Sequence, residues 1–133
     1  MSVSDLNKQK VWQFIEEVLN EGRLELIDDL VANDFIGRLG GVASTINGQD
    51  GVRRFVSDQR IACPDLYVKI EDQIAEGDRV VTCWRATAGA PHPLVETASI
   101  GPCRRCAGIT IVRLLAGKQV DAHTESAGFQ AGD

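Results

Sequence analysis

Histidine is scarce in this sequence. Only His92 and His123 occur among its 133 residues, which excludes a histidine-rich metal site. Aromatic residues make up 5% of the chain, and no apolar run approaches the roughly 20 residues that a membrane-spanning helix needs. Basic residues are also few, since 14 Lys and Arg stand against 19 Asp and Glu and the formal net charge is -5. Because phosphate binding needs a positive surface, we expect neither nucleic acid nor a membrane as a partner.

The cysteines do not form a pattern that indicates a metal site. Cys103 and Cys106 make a C-x-x-C pair, but no second such pair and no paired histidines supply the two further ligands that zinc requires. The N-terminal residues lack the basic and apolar regions of a secretory signal peptide. We therefore expect a cytoplasmic protein with reduced thiols and no bound metal.

The length predicts a single domain over residues 1–133, and a composition that is 44% hydrophobic predicts a packed core. Apolar residues recur at helical spacing in three segments, 5–21, 24–31 and from about 50 to the residues before Pro64. The intervening segment 33–48 is rich in glycine and small residues, and we expect it to be loop with short extended pieces.

Beyond Pro64 the apolar period changes from helical spacing to two, which predicts strands. The predicted strands begin at Leu66 and continue through 79–88, 94–100, 107–115 and 119–125. Helices followed by consecutive strands predict an α+β fold, with three helices covering one face of a mainly antiparallel sheet.

Several segments together resemble the SnoaL-like polyketide cyclases. These segments are CPDL at 63–66 followed by IEDQIAEGDRVV at 70–81, GITIVR at 108–113 followed by GKQVD at 117–121, DFIGR at 34–38, and GQDGVRRF at 48–55. The resemblance covers about residues 7–129, and its specificity lies in the order and spacing of the segments.

The resemblance implies the cone-shaped α+β fold of the nuclear transport factor 2-like superfamily, with a strongly curved sheet like that of a cystatin-like α+β barrel. It also implies a deep pocket for a small hydrophobic molecule between helices and sheet, and a homodimer. The cyclases that it resembles close a polyketide ring by an intramolecular aldol reaction. An acidic residue serves as acid and base there, and no cofactor takes part.

Three residues of the last two predicted strands are the candidates for such chemistry. By resemblance, Arg113, Asp121 and His123 lie on the pocket side, and hairpin pairing brings Arg113 near Asp121. His123 suits proton transfer best, because imidazole is the side chain that titrates near neutral pH. Alternatively, Arg113 and Asp121 form a structural ion pair, and His123 fills part of the volume of a family tryptophan.

A second group of residues is expected to line the pocket and contact the substrate. Its members are Trp12, Phe35, Arg38, Phe55, Trp84 and Glu125. Core packing is the alternative for each aromatic residue, and a solvated carboxylate at a strand end is the alternative for Glu125.

Two positions depart from the family pattern. Ala127 stands where the cyclases carry the acid on the last strand, and Arg38 stands where a histidine usually follows the DFI-like motif. Alanine transfers no proton and arginine stays protonated, so neither is the base. Two readings follow. Either His123 or Asp121 substitutes in a cofactor-free cyclase or isomerase, or the protein is a non-catalytic small-molecule-binding module of the same fold. An open cavity with an unpaired Asp121 or Glu125 would favour catalysis.

Overall fold

The computed structural model of the chain describes residues 2–87 and 105–128. His92, Cys103 and the predicted strand at 94–100 lie outside these residues. Helix α1, Val3–Gln13, continues directly as a π-helical segment, Phe14–Asn20. A capping box starts it: the backbone N–H of Asp5 donates to the Ser2 hydroxyl at 3.1 Å, and the Ser2 N–H donates back to the Asp5 carboxylate at 3.4 Å.

The second helical segment is short and the third is long. A 3₁₀ turn, Leu24–Leu26, leads into α2, Ile27–Leu30, and α3 spans Gly48–Ala62. The three helical regions predicted from the sequence are therefore present. Their apolar faces pack on one side of a six-stranded sheet, which confirms the α+β fold.

Residues 2–87 and 105–128 contain six strands, which form one mixed sheet in the order β2-β1-β6-β5-β4-β3. Their bounds are Val31–Leu39 (β1), Thr45–Asn47 (β2), Tyr67–Glu76 (β3), Arg79–Thr87 (β4), Arg105–Leu115 (β5) and Lys118–Gly128 (β6). Only the β1–β6 pair is parallel, and the other pairs are antiparallel. The sheet is curled around the helices without closing.

The segment 33–48, expected to be loop with short extended pieces, has more strand than expected. Most of this segment belongs to β1 and β2, because β1 is paired on both sides, with β2 and with β6. Asn33 and Asp34 have low β-propensity, but pairing within a sheet overrides such local preferences. This strand matters for function because Phe35 and Gly37 come from it and are buried against the helices.

The Asn20 side chain connects the end of the π-helical segment to the edge strand β3 by hydrogen bonds. Its amide nitrogen donates to the carbonyl of Val68 at 2.8 Å, and its amide oxygen accepts from the N–H of Val68 at 2.8 Å. Arg60 connects α3 to the same π-helical segment, since its guanidinium donates hydrogen bonds to the carbonyls of Leu19 and Asn20. The helices are thus held over the sheet by hydrogen bonds as well as by apolar packing.

Two clusters of buried apolar side chains hold the layers together. One contains Val11, Ile15, Val68, Val80, Ala86, Cys106, Val112 and Leu114, and the other contains Val18, Ile27, Leu30, Val31, Phe35, Val52 and Val56. Phe14, Leu19 and Ala122 pack against both clusters. No helix among the described residues has the length and apolar character needed to cross a membrane.

Candidate functional site

A cavity of about 220 Å³ lies between the helices and the sheet. Its walls are mainly apolar. The helices contribute Val11, Phe14, Ile15, Leu19, Val52, Phe55 and Val56. The cavity exists because these side chains cover the curled sheet without filling the space that its curvature creates.

Alternation along the strands decides which side chains form the sheet wall. The lining residues are Thr82, Trp84 and Ala86 of β4, Cys106, Thr110 and Val112 of β5, and Ala122, Thr124 and Ser126 of β6. Within each of these three strands the named positions are an even number of residues apart, as one face of a strand requires. The residues between them point to the opposite face of the sheet, which we call the outer face. Gln119 of β6 and Arg38 of β1 also line the cavity and depart from this spacing.

The Trp84 side chain occupies space that a glycine leaves open. Gly108 pairs with Trp84 across the β4–β5 ladder, and a Cβ at position 108 would overlap the indole ring. The ring nitrogen of Trp84 donates a hydrogen bond to the Thr110 hydroxyl at 2.9 Å. The indole is therefore fixed in the cavity wall both by shape and by a hydrogen bond.

Thr110 and Thr124 extend this hydrogen bond into a short chain. Their hydroxyl oxygens are 2.9 Å apart, and either can be the donor. The two hydroxyl groups hold two protons, and the bond between them uses one. The other proton has no acceptor among the described residues, so the pair offers one donor to the cavity.

Gln119 is a further polar residue of the wall, which also contains Gln59, Thr82 and Ser126. It lies at the start of β6, is 4% exposed, and lines the cavity. Its amide nitrogen has no hydrogen-bond partner among the described residues. Sequence reasoning missed Gln119, Thr110 and Thr124, although their positions on predicted strands could have indicated them.

Two arginines are the charged residues of the described lining. Arg60 is committed to the carbonyls of Leu19 and Asn20, at 3.0 and 2.8 Å. Arg38 is exposed and pairs in register with His123 of β6. Of the described residues that line the cavity, none is an aspartate, a glutamate or a histidine.

The residues expected to line the pocket divide into two groups. Phe35, Arg38, Phe55 and Trp84 are lining residues of the cavity. Trp12 is not, because it is 48% exposed on α1 and borders a separate shallow groove. Glu125 also lies outside the lining, since β6 presents Thr124 and Ser126 on either side of it.

The pocket-side placement expected for Arg113, Asp121 and His123 is corrected by the structure. All three belong to the outer face, because Val112 and Ala122 are the cavity-facing residues beside them. The expected proximity of two of them is present, with Arg113 Nε 3.1 Å from Asp121 Oδ2.

His123 also has a partner on the outer face. Its Nε2 lies 2.6 Å from Glu125 Oε2, and both side chains are at least half exposed. Asp121 and Glu125 are thus each paired, and neither reaches the cavity. Ala127 continues the same face and is exposed.

The described residues show no metal centre. No group of three or more His, Cys, Asp and Glu side chains among them is arranged to hold an ion. Of the C-x-x-C pair, Cys106 is buried and lines the cavity, and Cys103 lies outside the described residues.

One protein family matches the sequence over most of its length. A model of the SnoaL-like polyketide cyclases matches residues 9–124. The chain belongs to this family. None of the curated proteins matches the sequence.

Solved structures with the same fold include other members of the SnoaL-like group. A protein from Jannaschia sp. CCS1, assigned as a SnoaL-like polyketide cyclase, superimposes with a TM-score of 0.78 at 18% identity, over 95% of this chain and 88% of that chain. A protein from Acidithiobacillus ferrooxidans, assigned as a polyketide cyclase, gives a TM-score of 0.73 at 23% identity, over 95% and 91%.

A third structure carries a different assignment. A protein from Kribbella flavida, assigned as a ketosteroid isomerase, gives a TM-score of 0.75 at 15% identity, over 98% of this chain and 84% of that chain. At these identities the likeness establishes the fold. Because one fold serves several activities, the function has to be argued from the cavity itself.

Proposed function

We propose that this SnoaL-like protein binds a compact, mainly apolar small molecule in the cavity between its helices and its sheet. The observation that carries the proposal is an open cavity of about 220 Å³ whose walls are mostly apolar side chains. An apolar cavity of roughly 150 Å³ holds benzene. The larger volume here suits a molecule of one or two rings, and a few polar groups in an apolar wall are typical of ligand sites.

Binding is favoured over proton transfer by the chemistry of the wall. Removing a proton beside a carbonyl needs a base within hydrogen-bond reach of the substrate. The described lining offers amide, hydroxyl, indole and thiol groups but no carboxylate or imidazole, and its arginines stay protonated. The acids that could act as bases, Asp121 and Glu125, are paired on the outer face with Arg113 and His123.

The second candidate is a cofactor-free cyclase or isomerase that acts on a polyketide-like carbonyl compound, which family membership favours. Gln119 and the Thr110–Thr124 pair are donors of the kind that stabilises an enolate oxygen. This candidate keeps His123 as the predicted proton-transfer residue, with Asp121 and Arg113 beside it, and requires the reacting part of the substrate to reach the outer face where these residues lie. Loss of turnover in His123→Ala with unchanged ligand binding is its signature.

A pair of matched variants on β6 tests the binding proposal. Ala122→Leu adds volume to the cavity, whereas Ala127→Leu adds the same volume to the exposed outer face. Calorimetric titration with benzene, indole, tetralin and 1-tetralone should show binding to the wild type and to Ala127→Leu. We expect at least a tenfold loss in Ala122→Leu. No binding of any probe to the wild type, or equal binding to both variants, contradicts the proposal.

We also propose that the outer face mediates a homodimer. Ile109 and Ile111 are half exposed there, next to the Arg113–Asp121 ion pair. Apolar side chains between charges of both signs suit contact with a second copy of the same face. Light scattering after size-exclusion chromatography should give a dimer for the wild type and a monomer for Ile111→Asp. A wild-type monomer contradicts this part of the proposal.

A further inference from the structure

Gln119 is a buried polar side chain whose amide nitrogen the described protein leaves without a partner. Its neighbours in the two adjacent ladders, Val31 and Leu114, are buried and apolar. No acceptor among the described residues lies within hydrogen-bond distance of its Nε2. A buried donor in this condition destabilises the folded state, because it has lost its hydrogen bonds to water.

The other buried polar side chains of the described residues are satisfied. Asn7 donates to the carbonyl of Gly77 at 3.4 Å, and the Thr82 hydroxyl accepts from Gln73 at 3.2 Å. Gln119 is thus the exception to the rule that buried polar groups are paired, and it lies in the wall of the apolar cavity between the helices and the sheet. Because Nε2 itself has almost no accessible surface, a ligand atom becomes its partner only if the amide rotates toward the cavity.

We propose that Gln119 anchors the ligand by donating a hydrogen bond from Nε2 to a neutral oxygen of an apolar ring compound, a ketone being the simplest case. The inference rests on the proposed binding function and adds the chemical class of the ligand. The cavity volume is the reason to expect a ligand of about two rings, and the unpaired donor of Gln119 is the reason to expect an oxygen on that ligand.

The electrostatics of the wall favour a neutral oxygen over a carboxylate. A buried carboxylate needs a cation, because its desolvation is costly without one. In its two ladders Gln119 is flanked by Val31 and Leu114 and by no cation. Arg38 is exposed, and Arg60 donates two of its five N–H groups to the carbonyls of Leu19 and Asn20. A carbonyl or hydroxyl oxygen accepts the amide proton without requiring a compensating charge.

The test uses 1-tetralone and tetralin, two-ring compounds of nearly the same shape of which only the first has an oxygen. Isothermal titration of the wild type should show about tenfold tighter binding of 1-tetralone, the size expected for one net hydrogen bond. Gln119→Met keeps the bulk of the side chain and removes the donor, so the preference should disappear. Gln9→Met makes the same substitution on the exposed surface of α1, and this control variant should keep the preference for 1-tetralone.

A measurement on the wild type makes the test independent of how the variant folds. The side-chain amide resonances of Gln119, assigned through its backbone, should shift on addition of 1-tetralone and stay in place with tetralin. Equal binding of both compounds with no shift of these resonances overturns the inference and leaves the binding function standing. A preference that survives in Gln119→Met also overturns it. Failure of both compounds to bind the wild type contradicts the binding function and this inference together.

Discussion

Gly108 of β5 faces Trp84 of β4, and the indole ring occupies the space that a side chain at position 108 would take. This relationship sets the position of the largest side chain in the cavity wall. It also brings the indole nitrogen within hydrogen-bond distance of the Thr110 hydroxyl. The space left by Gly108 and this hydrogen bond therefore select the same orientation of the ring.

Replacement of Gly108 by alanine should therefore destabilise the protein. The new methyl group overlaps the indole ring and also approaches the carbonyl of Glu125, 2.8 Å away. We expect a loss of about 1–3 kcal/mol in the free energy of unfolding, the usual effect of overpacking. Urea unfolding measures it, and Trp84→Leu in the same background should recover part of the loss. An unchanged midpoint for Gly108→Ala contradicts this description of the wall.

The reciprocal hydrogen bonds between Asn20 and Val68 predict a large effect of a small substitution. Asn20→Asp keeps the oxygen that accepts from the Val68 N–H but replaces the donor to the Val68 carbonyl with a second oxygen. We expect a loss of roughly 1–3 kcal/mol, because a half-buried acceptor then faces another acceptor. Thermal unfolding provides the measurement, and Asn33→Asp on the exposed part of β1 is the control. Equal effects of the two substitutions would show that the hydrogen bonds between Asn20 and Val68 contribute little to stability.

The unpaired amide of Gln119 predicts that its removal stabilises the protein without ligand. Gln119→Met replaces a buried donor lacking a partner with an apolar side chain of similar length. We expect the free energy of unfolding to rise by about 1 kcal/mol, since the desolvation cost of the amide disappears. Chemical unfolding in the absence of ligand gives the comparison. A marked loss of stability would instead show that Gln119 has a structural partner.

The ion pairs of the outer face should matter little for stability or for ligand binding. Arg113, Asp121, His123 and Glu125 are all more than one third exposed, and exposed pairs contribute about 0–1 kcal/mol each. Asp121→Asn and His123→Ala should therefore bind the probes with wild-type affinity in calorimetric titration. A tenfold loss of affinity in either variant would place these residues at the ligand site and contradict their position on the outer face.

The fold could be predicted from the sequence because its periodicity is strong. The three helical segments, the later strands and the Arg113–Asp121 pairing all follow from helical spacing, alternation and a hairpin turn at Ala116 and Gly117. The strand β1 could not be predicted in this way. Asn33, Asp34 and Gly37 interrupt its strand-forming residues, and its partner β6 is distant in sequence.

The candidate site was harder to predict because alternation gives two sets of residues and does not say which set faces inward. On β6 one set contains Asp121, His123 and Glu125, and the other contains Ala122 and Thr124. Family resemblance placed the first set at the pocket, whereas the cost of burying charge favours the second, as the structure has it. Gln119 breaks the alternation, because the β5–β6 register shifts between Arg113 and Leu114.

Methyl NMR of the wild type during titration with 1-tetralone tests the central claim most directly. Val112 and Ile111 are adjacent in sequence but lie on opposite faces of β5, the first lining the cavity and the second on the outer face. If the cavity binds the ligand, the methyl resonances of Val112 and Val52 shift with saturation while those of Ile111 stay in place. Shifts confined to Ile111 and its outer-face neighbours, or no shifts at all, contradict the account.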